Sequence, residues 1–116
     1  MMTSDKNNTN FRLLSWNSNG LLSRRLELAT TLRDYNVDVC LISESHFTKE
    51  SYLCVDGYRL YNAVHPSDNA RGGAALLIKN SIKHHLDNII EEDTFQAVSV
   101  CLFTSLGEVI VGGVYS

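Results

Sequence analysis

"FRLLSW" (11–16) is the first of two apolar runs that decide the fold, and the second is "VDVCLIS" (37–43). Each run is short and rich in β-forming residues, which is typical of a strand covered on both faces. The segment between them carries apolar residues at helical spacing: Leu22, Leu26, Ala29 and Leu32. This spacing predicts an amphipathic helix over about 22–35.

A strand, a helix and a second strand in this order predict a βαβ unit, in which the two strands are parallel neighbours. The carboxyl ends of both strands then open onto the same edge of the sheet, which we call the rim. Asn17 and Asn19 follow the first strand, and Glu44, Ser45 and His46 follow the second. The sequence therefore predicts that these polar residues lie near one another.

The rest of the chain reads mainly as strands and turns. Short apolar or alternating runs predict further strands at 58–63, 74–79, 95–103 and 108–115, and "SIKHHLDNII" (81–90) has a weaker strand pattern. The Gly of "TSLG" favours a tight hairpin between the last two strands. We therefore predict an α+β domain over 11–116, preceded by a disordered polar tail at 1–10.

The composition sets only broad limits on function. The 116 residues suffice for one small domain, and the net charge of −3 gives no strong cationic field, although a local basic patch can still bind nucleic acid. The three cysteines are odd in number and far apart, which indicates a reducing compartment. Because there is no signal peptide or membrane-spanning run, we expect an intracellular protein, nuclear or cytoplasmic, without a membrane partner.

The rim residues have a chemical interpretation and an ordinary one. A carboxylate such as Glu44 on a buried strand face is costly unless it is paired, and Mg²⁺ would relieve that cost; the alternative is a solvated or Arg-paired carboxylate. Asn17 and Asn19 project to the same side if the strand continues, where a carboxamide can orient a metal ligand or a phosphate. The alternative is that "NSNG" is a turn, since Asn and Gly tolerate positive φ.

Three further residues are candidates for substrate contact. His46 can approach a phosphate, although a lone His in a loop is usually ordinary surface. Arg71 precedes two glycines that permit close backbone approach, so "RGG" is either a phosphate clamp or a simple turn. Tyr115 ends the last predicted strand and can hydrogen-bond a phosphate oxygen, although a strand Tyr is more often part of a core.

The order of these segments resembles a known family. The series "LLSWNSNGL", "DVCLISESHF", "GYRLYNAVHP", "NARGGAALLIKNSI" and "EVIVGGVYS" is similar to the amino-terminal half of the endonuclease/exonuclease/phosphatase superfamily. Within it, the apurinic-like endonuclease domain of non-LTR (LINE-type, jockey-like) retrotransposons is the best match. The resemblance implies half of a four-layer α/β/β/α sandwich of the DNase I-like type, with a mixed sheet.

The resemblance also implies a chemistry, which is the hydrolysis of phosphodiester bonds in DNA with Mg²⁺ or Mn²⁺. Asn17, Glu44 and Tyr115 then match catalytic positions, and Glu44 with Asn17 would serve the metal. Asn19, His46 and Arg71 would contact the substrate. The family's Gly-Asp-x-Asn and Ser-Asp-His motifs, which carry the water-activating Asp and a catalytic His, do not occur in this sequence. We therefore expect a truncated endonuclease domain that is inactive alone.

Two alternatives to the nuclease remain open. If each half of the family domain supplies one sheet, apolar residues of 74–79 and 95–103 lack their partner layer, and the chain is a non-catalytic fragment that self-associates through the exposed sheet. The other alternative is a phosphodiesterase of the same superfamily that acts on a substrate other than DNA.

Overall fold

A computed structural model of the chain describes residues 11–67 and 69–116; the tail predicted at 1–10 lies outside them. The first sheet contains four strands: β1 (Leu13–Asn17), β2 (Val39–Ser43), β3 (Tyr58–Ala63) and β4 (Ala74–Lys79). The second sheet contains three: β5 (His84–Glu91), β6 (Gln96–Thr104) and β7 (Gly107–Tyr115). A 3-10 turn (Leu22–Arg24) leads into the helix α1 (Arg25–Asp34) between β1 and β2.

The first sheet is mixed and has the strand order β1-β2-β4-β3. β1 and β2 are parallel, with Leu13 opposite Val39 and Asn17 opposite Ser43. β4 pairs antiparallel with both β2 and β3. The predicted βαβ unit is therefore confirmed, and the carboxyl ends of β1 and β2 meet at one rim.

The second sheet is antiparallel and has the order β5-β6-β7. β6 and β7 form the predicted hairpin, in which Thr104 pairs with Gly107 across a two-residue turn. Gly107 has a φ of 126°, in the region that favours glycine. The weak pattern over 81–90 also corresponds to a strand, β5.

The helix departs from the predicted apolar stripe at Leu26, whereas Leu32 is buried as predicted and Leu22 and Ala29 are half-buried. Leu28 and Leu32 are buried, but Leu26 is 79% exposed. The reason lies at the start of the helix, where the 3-10 turn has a tighter period and Arg24 has a non-helical φ of −118°. This break shifts the phase of the apolar stripe, so the stripe cannot be extrapolated from Leu22.

The strand β4 lies between two hydrophobic cores and contributes one face to each. Its residues Ala75 and Leu77 face α1 and pack with Leu28, Leu32, Ile42 and Phe47. Its other face, which includes Leu76 and Ile78, packs against the second sheet through Val98, Val100 and Leu102. All of these side chains are 1% exposed or less.

The two cores correct the prediction of an uncovered sheet. Ala74–Ile78 are fully buried, so the inward-facing residues of 74–79 and 95–103 do not lack a partner layer. The prediction was wrong because this chain contributes strands to both sheets, and the two sheets cover each other. Apolar side chains that stay exposed on the second sheet include Ile110 and Val114 of β7, which are 63% and 59% exposed.

None of the helices in the described part of the chain has the length and apolar character needed to cross a membrane. The three cysteines are free: Cys40 and Cys101 are buried, and Cys54 is exposed.

Candidate active site

Two loops at the rim are joined by main-chain hydrogen bonds. The backbone N–H groups of Ser18 and Gly20 donate to the carbonyls of Ser43 (3.0 Å) and Glu44 (2.8 Å), and Leu21 donates to Ser45 (2.9 Å). The loop after β1 therefore continues the β1–β2 pairing beyond the ends of the strands. As a result, Asn17 and Glu44 are held by neighbouring, hydrogen-bonded backbone.

A third loop, which precedes β4, is hydrogen-bonded to the loop after β2. The N–H of His46 donates to the carbonyl of Gly72 (2.9 Å), and the N–H of Ser45 donates to Gly73 (3.4 Å). Gly73 has a φ of 88°, and a Cβ there would lie 2.6 Å from Ser45 Oγ and 3.2 Å from the Ala63 carbonyl oxygen. The chain can pass this closely only because the residue is glycine.

Glu44 lies beyond the end of β2 and has a left-handed backbone, with a φ of 55°. The prediction that it lies on a buried strand face is therefore wrong, because β2 ends at Ser43. The Glu44 side chain is 28% exposed, whereas Cys40 and Ile42 are buried. The carboxylate is thus partly solvated at the rim and can receive a ligand.

Asn17 and Glu44 are in direct contact. Asn17 Nδ2 donates a short hydrogen bond to Glu44 Oε2, and Asn17 Oδ1 accepts from the backbone N–H of Asn19 (3.2 Å). A backbone N–H only donates and a carboxylate only accepts, so the two neighbours fix which way the carboxamide points. Asn17 therefore orients one oxygen of the Glu44 carboxylate.

Asn19 does not continue the strand. Its φ is 46° and that of Gly20 is 101°, so "NSNG" forms the turn that was the alternative interpretation. The condition under which Asn17 and Asn19 were expected to project to the same side, a strand that continues through both, is therefore not met. What Asn19 contributes to the site in this structure is its backbone N–H, which holds the Asn17 carboxamide.

His46 lies on the other side of the carboxylate. Its Nε2 is 3.7 Å from Glu44 Oε1, so the two oxygens of Glu44 have different neighbours. The Nδ1 atom of the same ring is 3.4 Å from the position that a Cβ on Gly20 would occupy. The imidazole thus lies beside a glycine, at a distance that a Cβ would meet as ordinary van der Waals contact.

Tyr115 reaches the rim from the second sheet. Its ring carbons lie 3.2 and 3.3 Å from the position of a Cβ on Gly72, and Gly72 in turn accepts the hydrogen bond from His46. Arg71 is exposed on the adjoining residue of the same loop, with its backbone N–H donating to Asn69 (2.8 Å). The structure therefore brings Asn17, Glu44 and His46 into one cluster and places Tyr115 and Arg71 beside it through the loop before β4.

Two polar residues of this region are not among the predicted site residues. Gln96 is 1% exposed, and its Oε1 accepts from the N–H of Gly73 (2.8 Å). Ser45 is also 1% exposed, and its hydroxyl has no hydrogen-bond partner among the described residues. The signal for Gln96 was its amide at an inward position of the apolar run "FQAVSVCLF"; Ser45 gave no comparable signal.

The donor set at the rim consists mainly of oxygen atoms. Within 11–67 and 69–116, no three or more His, Cys, Asp and Glu side chains gather in a way that could hold a metal ion by themselves. Glu44 is therefore a single carboxylate supported by an amide and an imidazole. Such a set can share a hard cation with water and phosphate oxygens, but it cannot enclose one.

The sequence is similar to one protein family and to several curated proteins. The profile of the Endonuclease/Exonuclease/phosphatase family matches residues 14–115. The chain is 39% identical over 100 residues to the RNA-directed DNA polymerase from mobile element jockey of Drosophila melanogaster, which covers 86% of this chain and 11% of that protein. It is 36% identical over 105 residues to the probable RNA-directed DNA polymerase from transposon X-element of the same species, covering 90% and 12%. The chain thus spans about a tenth of the length of these curated relatives.

Solved structures show the same fold. The AP endonuclease LMAP from Leishmania major superposes with a TM-score of 0.71 at 13% identity, over 88% of this chain and 39% of that one. The endonuclease domain of TRAS1, a telomere-specific non-LTR retrotransposon, gives 0.66 at 19% identity, over 91% and 45%. These matches confirm the predicted fold class, half of a DNase I-like sandwich. Together with the profile match, they lead to one conclusion: the chain belongs to the Endonuclease/Exonuclease/phosphatase family.

Proposed function

We propose that this chain forms one half of the active site of a divalent-cation-dependent DNA endonuclease of a non-LTR retrotransposon. The observation that carries the proposal is the Asn17–Glu44 hydrogen bond at the rim, which holds a partly exposed carboxylate just beyond the end of β2. The relatives from jockey and X-element support the retrotransposon origin. The endonuclease domain of TRAS1 and the AP endonuclease LMAP share the fold.

The residues present suit Mg²⁺ or Mn²⁺. Mg²⁺ prefers oxygen ligands and takes one or two protein carboxylates, with water and substrate phosphate oxygens completing its shell. Glu44 would be the protein ligand, and Asn17 would hold its carboxylate in place. When bound, the cation would supply a positive charge that stabilises the developing charge on the phosphate.

The remaining site residues would act on the DNA backbone. Arg71 is exposed on a loop with two glycines and can approach a phosphate with two N–H donors. The Tyr115 hydroxyl can donate to a phosphate oxygen from the second sheet, and His46 can donate from the side of Glu44. The Gly-Asp-x-Asn and Ser-Asp-His motifs do not occur in this sequence, so no residue of it matches the family's water-activating Asp or catalytic His. We therefore infer that this chain binds metal and DNA without turnover.

Mn²⁺ titration followed by NMR tests the cation site directly. In a ¹⁵N-labelled chain, low Mn²⁺ should broaden the amide signals of Gly20 and His46 first, because their backbones adjoin Glu44. Glu44→Gln keeps the shape but removes the charge, and it should abolish this selective broadening. Asn17→Ala should weaken Mn²⁺ binding by about 10–100-fold, the usual effect of losing a group that orients a ligand.

The matched control is Glu27→Gln, which removes a carboxylate from an exposed surface ion pair on α1. It should leave the Mn²⁺ response unchanged. Broadening that is spread over the surface, or that persists in Glu44→Gln, would contradict the cation site.

Plasmid nicking tests the inference that the chain alone is inactive. Supercoiled DNA incubated with the chain and Mg²⁺ should remain supercoiled, as in a control with EDTA. Robust nicking that disappears in Glu44→Ala would show instead that this chain is a complete catalyst.

A second candidate function is a non-catalytic interaction through β7. This strand lies at the edge of its sheet, and Ile110 and Val114 are exposed on it. An exposed apolar edge strand is a template for pairing with another chain. Light scattering after size-exclusion chromatography would decide: a monomer at all concentrations would refute self-association, and a dimer that dissociates in Ile110→Lys would support it.

A further inference from the structure

We propose that Gln96 is a positioning residue that holds the loop before β4, and through it Glu44–His46 and Tyr115, in place at the rim. The inference rests on the proposed function, since the groups that it positions are those of the proposed cation and phosphate site. Gln96 itself would contact neither the cation nor the DNA.

The carboxamide of Gln96 bridges two separate parts of the chain. Its Oε1 accepts from the N–H of Gly73 (2.8 Å), at the end of the loop before β4. Its Nε2 donates to the carbonyl of Glu92 (2.6 Å), before β6. Because one neighbour only donates and the other only accepts, the amide has a single satisfied orientation. The side chain is 1% exposed, so water does not compete for these bonds.

The held segment is connected directly to the site. The carbonyls of Gly72 and Gly73 accept from His46 (2.9 Å) and Ser45 (3.4 Å), the two residues that follow Glu44. A shift of Gly73 would therefore move the backbone on the far side of the carboxylate. Gln96 thereby ties the second sheet to the loop before β4, which is hydrogen-bonded to the loop that carries the proposed metal ligand.

Tyr115 depends on the same contact. It pairs with Gln96 across β6 and β7. The Gln96 oxygen and the Tyr115 ring both lie within 3.3 Å of the position that a Cβ on Gly72 would occupy. The amide oxygen and the phenol ring thus both pack closely against this glycine. If the amide no longer holds Gly73, this packing loosens and the Tyr115 hydroxyl loses its fixed position.

A purely space-filling role makes a different prediction. An apolar side chain of similar length would fill the same volume without the desolvation cost of an amide. Gln96→Met tests this directly, since it keeps the shape and removes both hydrogen bonds. Gln96→Glu separates the two roles further, because a neutral carboxylic acid can accept at one oxygen and donate at the other, as the amide does. The ionised form can only accept.

The experiment uses the full chain, labelled with ¹⁵N, at acidic and at mildly alkaline pH. Hydrogen exchange and chemical shifts are read at the amides of Gly73 and His46, and the affinity for a dye-labelled DNA duplex is measured with Mg²⁺. In Gln96→Met we expect exchange at Gly73 to be about tenfold faster, as for the loss of one buried hydrogen bond. DNA affinity should fall severalfold.

Gln96→Glu should behave like the wild type at acidic pH and like Gln96→Met at higher pH. Burial disfavours the charged form of the introduced carboxyl and so raises its pKa, which places this change above the ordinary range for glutamate. The wild type at the same two pH values corrects for any other titration. Should Gln96→Met fail to fold, this variant supplies both arms of the test in one protein.

Ser99→Ala is the matched control, because Ser99 lies on the same strand as Gln96, β6, and its hydroxyl donates an exposed hydrogen bond to Asp87 (2.8 Å). It should change neither readout. The proposal is overturned if Gln96→Met leaves the Gly73 and His46 amides as in the wild type, or if the amides change while DNA affinity does not. If the wild type itself binds neither Mn²⁺ nor DNA, the proposed function fails, and the amide measurements alone still decide whether Gln96 sets the loop.

Discussion

Gly73→Ala is the sharpest test of how the rim is built. Gly73 has a φ of 88°, which costs a residue with a β-carbon about 1–2 kcal/mol. The new Cβ would also lie 2.6 Å from Ser45 Oγ and 3.2 Å from the Ala63 carbonyl oxygen, and relieving such overpacking costs about 1–3 kcal/mol. We therefore expect the free energy of unfolding to fall by about 2–5 kcal/mol.

Gly57→Ala separates the two contributions. Gly57 has a similar φ of 83°, but a Cβ there would meet nothing within 4 Å. This variant should lose only the backbone part, about 1–2 kcal/mol. The difference between the two variants then measures the close contact of the loop before β4 with Ser45 and Ala63.

Urea unfolding, followed by the fluorescence of Trp16 and by circular dichroism, provides the measurement. The double variant Ser45→Ala, Gly73→Ala should recover about 1 kcal/mol relative to the sum of the single variants, since the tightest contact is removed. Ser45→Ala alone should not destabilise the chain, because its buried hydroxyl has no partner among the described residues. If Gly73→Ala costs no more than Gly57→Ala, the close approach inferred at the rim is refuted.

Three other predictions concern the body of the domain. A thiol reagent at pH 8 should modify only Cys54 rapidly, because burial shields Cys40 and Cys101 and raises the pKa of both thiols. Rapid reaction of all three cysteines in the folded chain would contradict this prediction. Burial raises the pKa of Cys40 to about 12, so the folded chain holds this thiol proton more tightly than the unfolded chain does. The free energy of unfolding should therefore fall as the pH rises from about 9 to about 12. In urea unfolding curves measured over this pH range, Cys40→Ala should show a smaller fall. Leu77→Ala should cost about 2–5 kcal/mol in the core, whereas Leu106→Ala, at an 88% exposed turn, should change the unfolding free energy by less than about 0.5 kcal/mol.

The strands were largely predictable because each carries its own local signal. The runs at 58–63 and 74–79 correspond to β3 and β4 residue for residue, and 95–103 differs from β6 by one position at each end. The rim could also be anticipated, since parallel β1 and β2 must open on one side. These features depend on residues that are close in sequence or on a simple rule of connection.

The features that were not predictable depend on contacts between distant segments. The sequence does not show that β2 ends at Ser43 and that Glu44 turns into a left-handed conformation, because the loop before β4 sets that turn. The Gln96–Gly73 bond joins residues 23 apart in sequence, and each looks ordinary by itself. The pairing of the two sheets was misjudged for the same reason, since no local pattern tells which sheet a strand joins.

The three loops at the rim are fastened to one another by peptide groups, and this has a consequence for how such a site diverges. Any residue other than proline supplies the same N–H and carbonyl, so most side chains along these loops can be exchanged without loosening the frame. Tolerance should fail at a few positions only, where a glycine admits a neighbour or where Asn17 and Gln96 hold an orientation. Random mutagenesis of these loops should therefore yield many folded variants, with substitutions at most loop positions and none at a small number of them.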